Sequence, residues 1–215
     1  MTFSLGSTPR SLVKYNDKSI AAITEIAASA KDDMVLIKTL TGSSSADLSF
    51  VNGASDVVLD NTYPIYVFKC ISISNGSNAT FRFNVSDDTS SHSYDIAKTT
   101  TRFRAFVNEG DGTDIELAYQ PDEDLANGTG VQVIASVRSD ADSCCAGELW
   151  LFNPSSTTFV KHFISSFNSN NAQYCESHHN AGYVNTTAAV TAVQFTMSAG
   201  SIAAGTIKMY GIKDS

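Results

Sequence analysis

From Met34 onward, apolar and polar residues alternate in short runs separated by turn residues. A period of two is the signature of a half-buried strand. Met34–Leu40 is an apolar run bounded by Asp33 and Gly42. Ala46–Val51 alternates in part and stops at Asn52–Gly53, a dipeptide that favours hairpin turns. Tyr63–Ile73 is the longest run of aromatic and β-branched residues, and it stops at Asn75–Gly76. Thr80–Val85 alternates cleanly, with Phe81, Phe83 and Val85 on one face and Thr80, Arg82 and Asn84 on the other. The short spacer Ser74–Ala79 between the last two runs predicts an antiparallel hairpin.

Thr100–Val107 alternates with Phe103 near its middle, and Asn108–Asp114 is a turn by composition. Ile115–Tyr119 is a short strand, Pro121–Gly130 a polar loop, and Val131–Val137 alternates again. Gly147–Phe152 and Thr158–Ser165 flank a turn at Asn153–Ser156. Ser166–Asn180 reads as a long polar loop of roughly 15 residues, a length that suggests function. Val190–Met197 and Thr206–Ile212 are the last strands, with Gly200 and Gly205 bracketing the turn between them. Roughly ten strands without intervening helices predict an all-β, antiparallel β-sandwich or jelly roll over residues 34–215. Residues 1–33 differ. Ser19–Ala30 carries Ile20, Ile23, Ile26 and Ala27 at helical spacing behind a capping Ser19, which predicts a short N-terminal helix or docking arm.

Composition narrows the function. Charged residues make up 17% of the 215, against about 25% in a usual soluble domain. Ser, Thr and Asn fill the difference, and they compete with helix formation by bonding local backbone. The net charge of −8 argues against a nucleic-acid partner, since phosphate binding needs Lys and Arg. No run of 18 apolar residues is present, so no membrane-inserting helix is predicted. Met1–Arg10 lacks the basic-then-apolar pattern of a signal peptide. The expectation is synthesis and assembly in a host cytoplasm, with release by lysis.

Several strings then acquire meaning. They are Gly147–Glu148–Leu149–Trp150–Leu151–Phe152–Asn153–Pro154, Lys161–His162, Ala181–Gly182–Tyr183–Val184–Asn185–Thr186 and Val190–Thr191–Ala192–Val193–Gln194–Phe195. The closing run Ser198–Ile212 ends in Gly205–Thr206–Ile207–Lys208–Met209–Tyr210–Gly211–Ile212. With Tyr66–Ile73 and Thr80–Val85, the chain resembles, over roughly residues 34–212, a group of small virion structural (tail-fibre-like) proteins of marine tailed phages. The resemblance implies a non-enzymatic structural protein on the virion surface, a tail fibre or tail-associated component contributing to host attachment. Its alternatives are a capsid decoration or cement protein that stabilises the head, and a glycan-binding, lectin-like module. Other virion proteins are its implied partners, and a host surface glycan is a further candidate. A homotrimer is expected by analogy with spikes and fibres.

Chemistry-bearing residues are few. Cys70 reads as a buried small hydrophobe, whereas Cys144, Cys145 and Cys175 lie in polar segments. Cys175 could pair with Cys144 or Cys145, or form a zinc site with His178 and His179, with Glu176 and His162 nearby in sequence and Cys144 or Cys145 to complete it. Adjacent His178 and His179 cannot easily aim both rings at one ion from an extended strand. Glu109, Asp111 and Asp114 around Gly110 and Gly112 could hold calcium, but acidic turns are more often solvated loop tips. No Gly-x-Ser-x-Gly elbow or phosphate-binding glycine loop occurs. Catalytic residues, metal and cofactors are therefore expected to be absent. Trp150 reads as core, and Tyr174, His178 and His179 are the candidate receptor contacts.

Overall fold

The alternating runs become strands. The computed structural model describes residues 34–213, and the expected helix at Ser19–Ala30 and docking arm 1–33 lie outside them. Among the described residues there are twelve strands and no helix. The first six are β1 (Met34–Thr41), β2 (Asp47–Val51), β3 (Ile65–Ser74), β4 (Ala79–Ser86), β5 (Lys98–Asn108) and β6 (Ile115–Tyr119). The others are β7 (Gln132–Val137), β8 (Cys145–Phe152), β9 (Lys161–Asn171), β10 (Tyr174–Val184), β11 (Ala192–Met197) and β12 (Ala204–Ile212).

They form two antiparallel sheets. Eight strands run in the order β1-β12-β3-β8-β9-β10-β5-β6, and four in the order β2-β11-β4-β7. The smaller sheet covers part of the larger and closes a sandwich. This is the expected class, although eight plus four strands exceed the eight of a jelly roll. Phe81, Phe83 and Val85 of β4 all face the core at 0% exposure, as their alternation predicts. Aromatic rings from both sheets meet there. Phe81 stacks on Phe195 at 5.7 Å, and Phe83 meets Phe163 edge-on at 4.9 Å. Edge-to-face and offset pairs suit the ring quadrupole. Truncating one such ring to Ala typically costs about 3–5 kcal/mol.

The expected hairpin between β3 and β4 does not form. β3 lies between β12 and β8, and β4 between β11 and β7, so residues 75–78 cross from one sheet to the other. Each strand has one strongly apolar face, and the crossing lets the two faces oppose each other across the core. Asn52–Gly53 does turn the chain, with Gly53 at φ 78°, but β2 pairs with β11 rather than with its sequence neighbour.

The long loop expected at Ser166–Asn180 is also corrected. It is the hairpin of β9 and β10, turned at Ala172–Gln173. Its inward positions carry Ser165, Ser169, Asn171, Glu176, His178 and Asn180, all buried. A strand whose buried face is polar has no apolar alternation to reveal it.

The closing run behaves as a final strand. Ile207 and Met209 are fully buried. A Cβ on Gly211 would meet the Tyr63 ring at 2.3 Å, so the strand needs glycine there. Trp150 is not core. Leu149 and Leu151 take the inward positions of β8, which leaves Trp150 half-buried on the outer face between Val67 and Ile164.

Candidate functional site

Strand β10 carries most of the polar candidates, and its pleat divides them. Glu176, His178 and Asn180 face the interior, while Cys175, Ser177 and His179 face out. Of the three candidate receptor contacts, His178 is 0% exposed and drops out. His179 lies on the outer face, its ring stacked on Phe103 at 5.0 Å. Tyr174 sits half-buried at the start of β10, beside the hairpin turn, where its hydroxyl donates to Asp114 Oδ2 at 2.8 Å.

The interior beside β10 is a charged network. Arg102 of β5 is 1% exposed, and its Nη1 meets Glu123 of the loop before β7. Its Nη2 lies 2.9 Å from His178 Nδ1. Burial lowers the Arg102 pKa to about 10, so the guanidinium stays charged at neutral pH. A guanidinium only donates, so His178 Nδ1 must accept and the ring proton sits on Nε2. That proton faces Ser169 Oγ at 2.9 Å. Burial first, then the two arginines, hold the His178 pKa below its ordinary value, against the opposing pull of Glu176.

Ser169, His178 and Glu176 thus lie together without forming a catalytic triad. In a triad the carboxylate sits on the nitrogen opposite the serine and stabilises a charged ring. Here a cation occupies that nitrogen, and Glu176 Oε2 lies 3.3 Å from Nε2, the serine's side. Ser169 is 1% exposed, which bars a substrate.

Toward the end of the sandwich the network opens. A cavity of about 220 Å³ is lined by Arg104, Phe106, Arg138, Asn171, Tyr174 and Glu176. A second, of about 320 Å³, shares Arg138, Asn171 and Tyr174 with it, so the two make one cleft. Phe106 and Tyr174 meet edge to face at 5.2 Å, and the Arg104 guanidinium lies over the Phe106 ring at 5.1 Å. Arg138 Nε donates to Asn171 Oδ1. Glu176 Oε1 accepts from Arg104 Nη1 at 3.2 Å. The other oxygen, Oε2, lies 3.3 Å from His178 Nε2, which carries the ring proton. Glu176 still remains ionised below the usual carboxylate range. Burial works against the charge, and the bonds from His178 and Asn171 with the nearby Arg104 outweigh it.

On the opposite surface, the outer face of the large sheet carries an apolar strip at its β5–β6 end. Ile115, Leu117 and Tyr119 of the edge strand β6 are 66%, 73% and 53% exposed. Phe103 and Val107 of β5 continue the strip. Farther along, Phe152, His162, Ile164 and Tyr183 surround a shallow concavity of about 510 Å³.

The sheet also separates the cysteines. Cys70 and Cys145 are buried neighbours, and Cys175 is exposed. Asn170 of β9 pairs with Cys175 on one side and donates its backbone N–H to the Cys144 carbonyl on the other. Two strand spacings, about 10 Å, therefore part Cys144 from Cys175, beyond the roughly 7 Å that a disulfide spans. Cys145 faces inward and Cys175 outward, which excludes that pairing too. All four thiols are free. The zinc set is split in the same way, and among the described residues no three His, Cys, Asp or Glu side chains gather as a metal site. Asp111 instead accepts the N–H groups of Thr113 and Asp114 in the β5–β6 turn.

Arg102, Arg104, Arg138 and Asn171 were not among the sequence candidates. Lys98, Thr100, Arg102 and Arg104 do fall on one face of β5, but alternation does not say which face is inside. Comparison with known proteins adds no name. No family model, no curated protein and no solved structure matches this chain.

Proposed function

We propose that this chain is a non-enzymatic structural protein on the exterior of a phage particle, a tail fibre or tail-associated component that contributes to host attachment. The observation that carries the reading is the β6 edge. A strand at a sheet edge offers unpaired backbone groups, and soluble monomers usually protect such edges with charge, proline or a covering element. Here Ile115, Leu117 and Tyr119 are all exposed along it. That surface suits a protein working in many copies, with a second copy of this chain seated against β6 and the β5 strip. The resemblance of its sequence strings to tail-fibre-like proteins is the other ground for the reading, and a cyclic homotrimer is the assembly the reading favours.

Two measurements test it. Mass photometry of the full chain should find a trimer, and Leu117→Lys should leave a monomer. Cryo-electron microscopy of whole particles should place the chain on the tail. Density on the head would replace the tail reading with capsid decoration, and absence from the particle would end both.

A further inference from the structure

We propose that the N-terminal segment docks back on its own chain, with the apolar stripe of Ser19–Ala30 seated on the outer face of the large sheet. The inference is independent of the particle and assembly readings. It starts from the register of six strands. Leu36, Tyr210, Val67, Trp150, Ile164 and Ala181 stand opposite one another in turn, from the edge strand β1 to β10. They point outward, because chain neighbours such as Met209, Phe68, Leu149 and Phe163 fill the core. The next outward row toward the start of β1 is also apolar, through Met34, Ile212, Ile65 and Phe152. The next outward row on the other side is Lys208, Lys69, Glu148 and Ser166. The outer face thus carries an apolar band two rows wide with a polar, charged border. At β8–β10 the band dips into the concavity of about 510 Å³ around Ile164. Leu36 and Ile164 are 51% and 52% exposed. An apolar patch with a polar rim marks a surface that a partner covers.

Reach and pattern name the occupant. The band begins at Met34 and Leu36, where the chain enters β1, and residues 1–33 lead directly into it. From β1 to β9 there are four strand spacings, so Ile164 lies about 19 Å from Leu36. Residues 31–33 span up to about 13 Å when extended, and a helix over Ser19–Ala30 adds about 18 Å. The segment therefore reaches Ile164 with length to spare. Ile20, Ile23, Ile26 and Ala27 share one side at helical spacing, with Glu25 and Ser29 on the other. A helix this short is marginal alone in water, so an apolar surface must hold it. A tether supplies that surface at an effective concentration on the order of millimolar, which favours the chain's own segment over a second copy.

Trp150 lies in the middle of the band and is the chain's single tryptophan, so its fluorescence reads the cover directly. In the full chain, Ile23→Asp with Ile26→Asp should shift its emission to longer wavelength and raise its quenching by acrylamide. Neither residue belongs to the described sandwich, so the core stays intact. Emission and quenching equal to wild type would overturn the proposal. A short bismaleimide then locates the contact, in a Cys144→Ser, Cys175→Ser background that leaves only two buried thiols. Ile23→Cys with Ile164→Cys should be bridged within one chain. Ile23→Cys with Asp142→Cys, exposed before the far end of β8, should not. A bridge between two chains would give the band to the segment of a second copy and overturn docking within the chain. No bridge, or equal yields from the two pairs, would overturn it as well.

Discussion

Arg102 Nη2 lies 2.9 Å from His178 Nδ1 inside the sandwich, so a permanent cation fixes the tautomer of a buried histidine. Protonating Nδ1 would set two donors against each other. Unfolding releases the ring to bind a proton near its ordinary value of 6.5, whereas burial and Arg102 delay protonation in the folded chain. Just below pH 6.5 the unfolded chain therefore binds more protons, and stability falls with pH until the folded pKa is passed. Thermal denaturation of wild type from pH 7 to 5 should show this loss, and His178→Gln should show less of it. Glu176, also in the network, titrates below the ordinary carboxylate value and leaves this window undisturbed. Equal acid sensitivity in the two proteins would contradict the assigned tautomer.

Gly205 opens β12 at φ 110°, a conformation open to glycine and strained for other residues. A Cβ there would also meet Ser72 O at 2.5 Å and Ile73 Cα at 2.7 Å, both backbone atoms. Gly53 supplies the comparison, because it has φ 78° and nothing within 4 Å of its Cβ position. Gly53→Ala should cost about 1 kcal/mol from φ alone. Gly205→Ala should cost more, roughly 2–4 kcal/mol once β12 must shift against β3. Urea unfolding midpoints measure the difference, and equal losses would mean that the contact relaxes freely.

These cases show what the sequence made legible. Phe81, Phe83 and Val85 announced β4, and Ile207 and Met209 announced β12, because an apolar residue every second position has one simple burial solution. β10 stayed hidden because Glu176, His178 and Asn180 occupy its buried positions. Partners far away in sequence satisfy them, such as Arg102 beside His178. Tyr174 stood out in the sequence as an aromatic in a polar segment, but the cleft around it was not legible. That cleft joins Arg104 of β5, Asn171 of β9 and Arg138 just after β7, and only register within the large sheet together with the packing of the small sheet on it brings them together.

Thiol accessibility follows from the pleat. Cys175 faces solvent from β10, whereas Cys70 and Cys145 are enclosed in the core, where burial pushes both thiols up. A thiolate is the reacting form, so burial protects twice. A maleimide should label Cys175 quickly in the native protein, and Cys70 and Cys145 only on unfolding. Intact mass under non-reducing conditions should be that of four free thiols. A mass two hydrogens lower would revive the disulfide that the strand spacing excludes.

Lys98 is fully buried at the start of β5, where its Nζ donates to the Ile96 carbonyl at 2.8 Å and to Asn84 Oδ1. Burial lowers its pKa to about 8 from an ordinary 10.5. Between those values the unfolded chain holds the proton that the folded chain has released. This residue therefore adds stability as pH rises, by up to about 1.4 kcal/mol per pH unit. Lys98→Met keeps the stem and removes the titration, although it leaves Ile96 O without its donor. The wild type should consequently gain on the variant between pH 8 and pH 10 when both are unfolded in urea. A stability difference constant across that range would show that Lys98 keeps its proton in the folded protein.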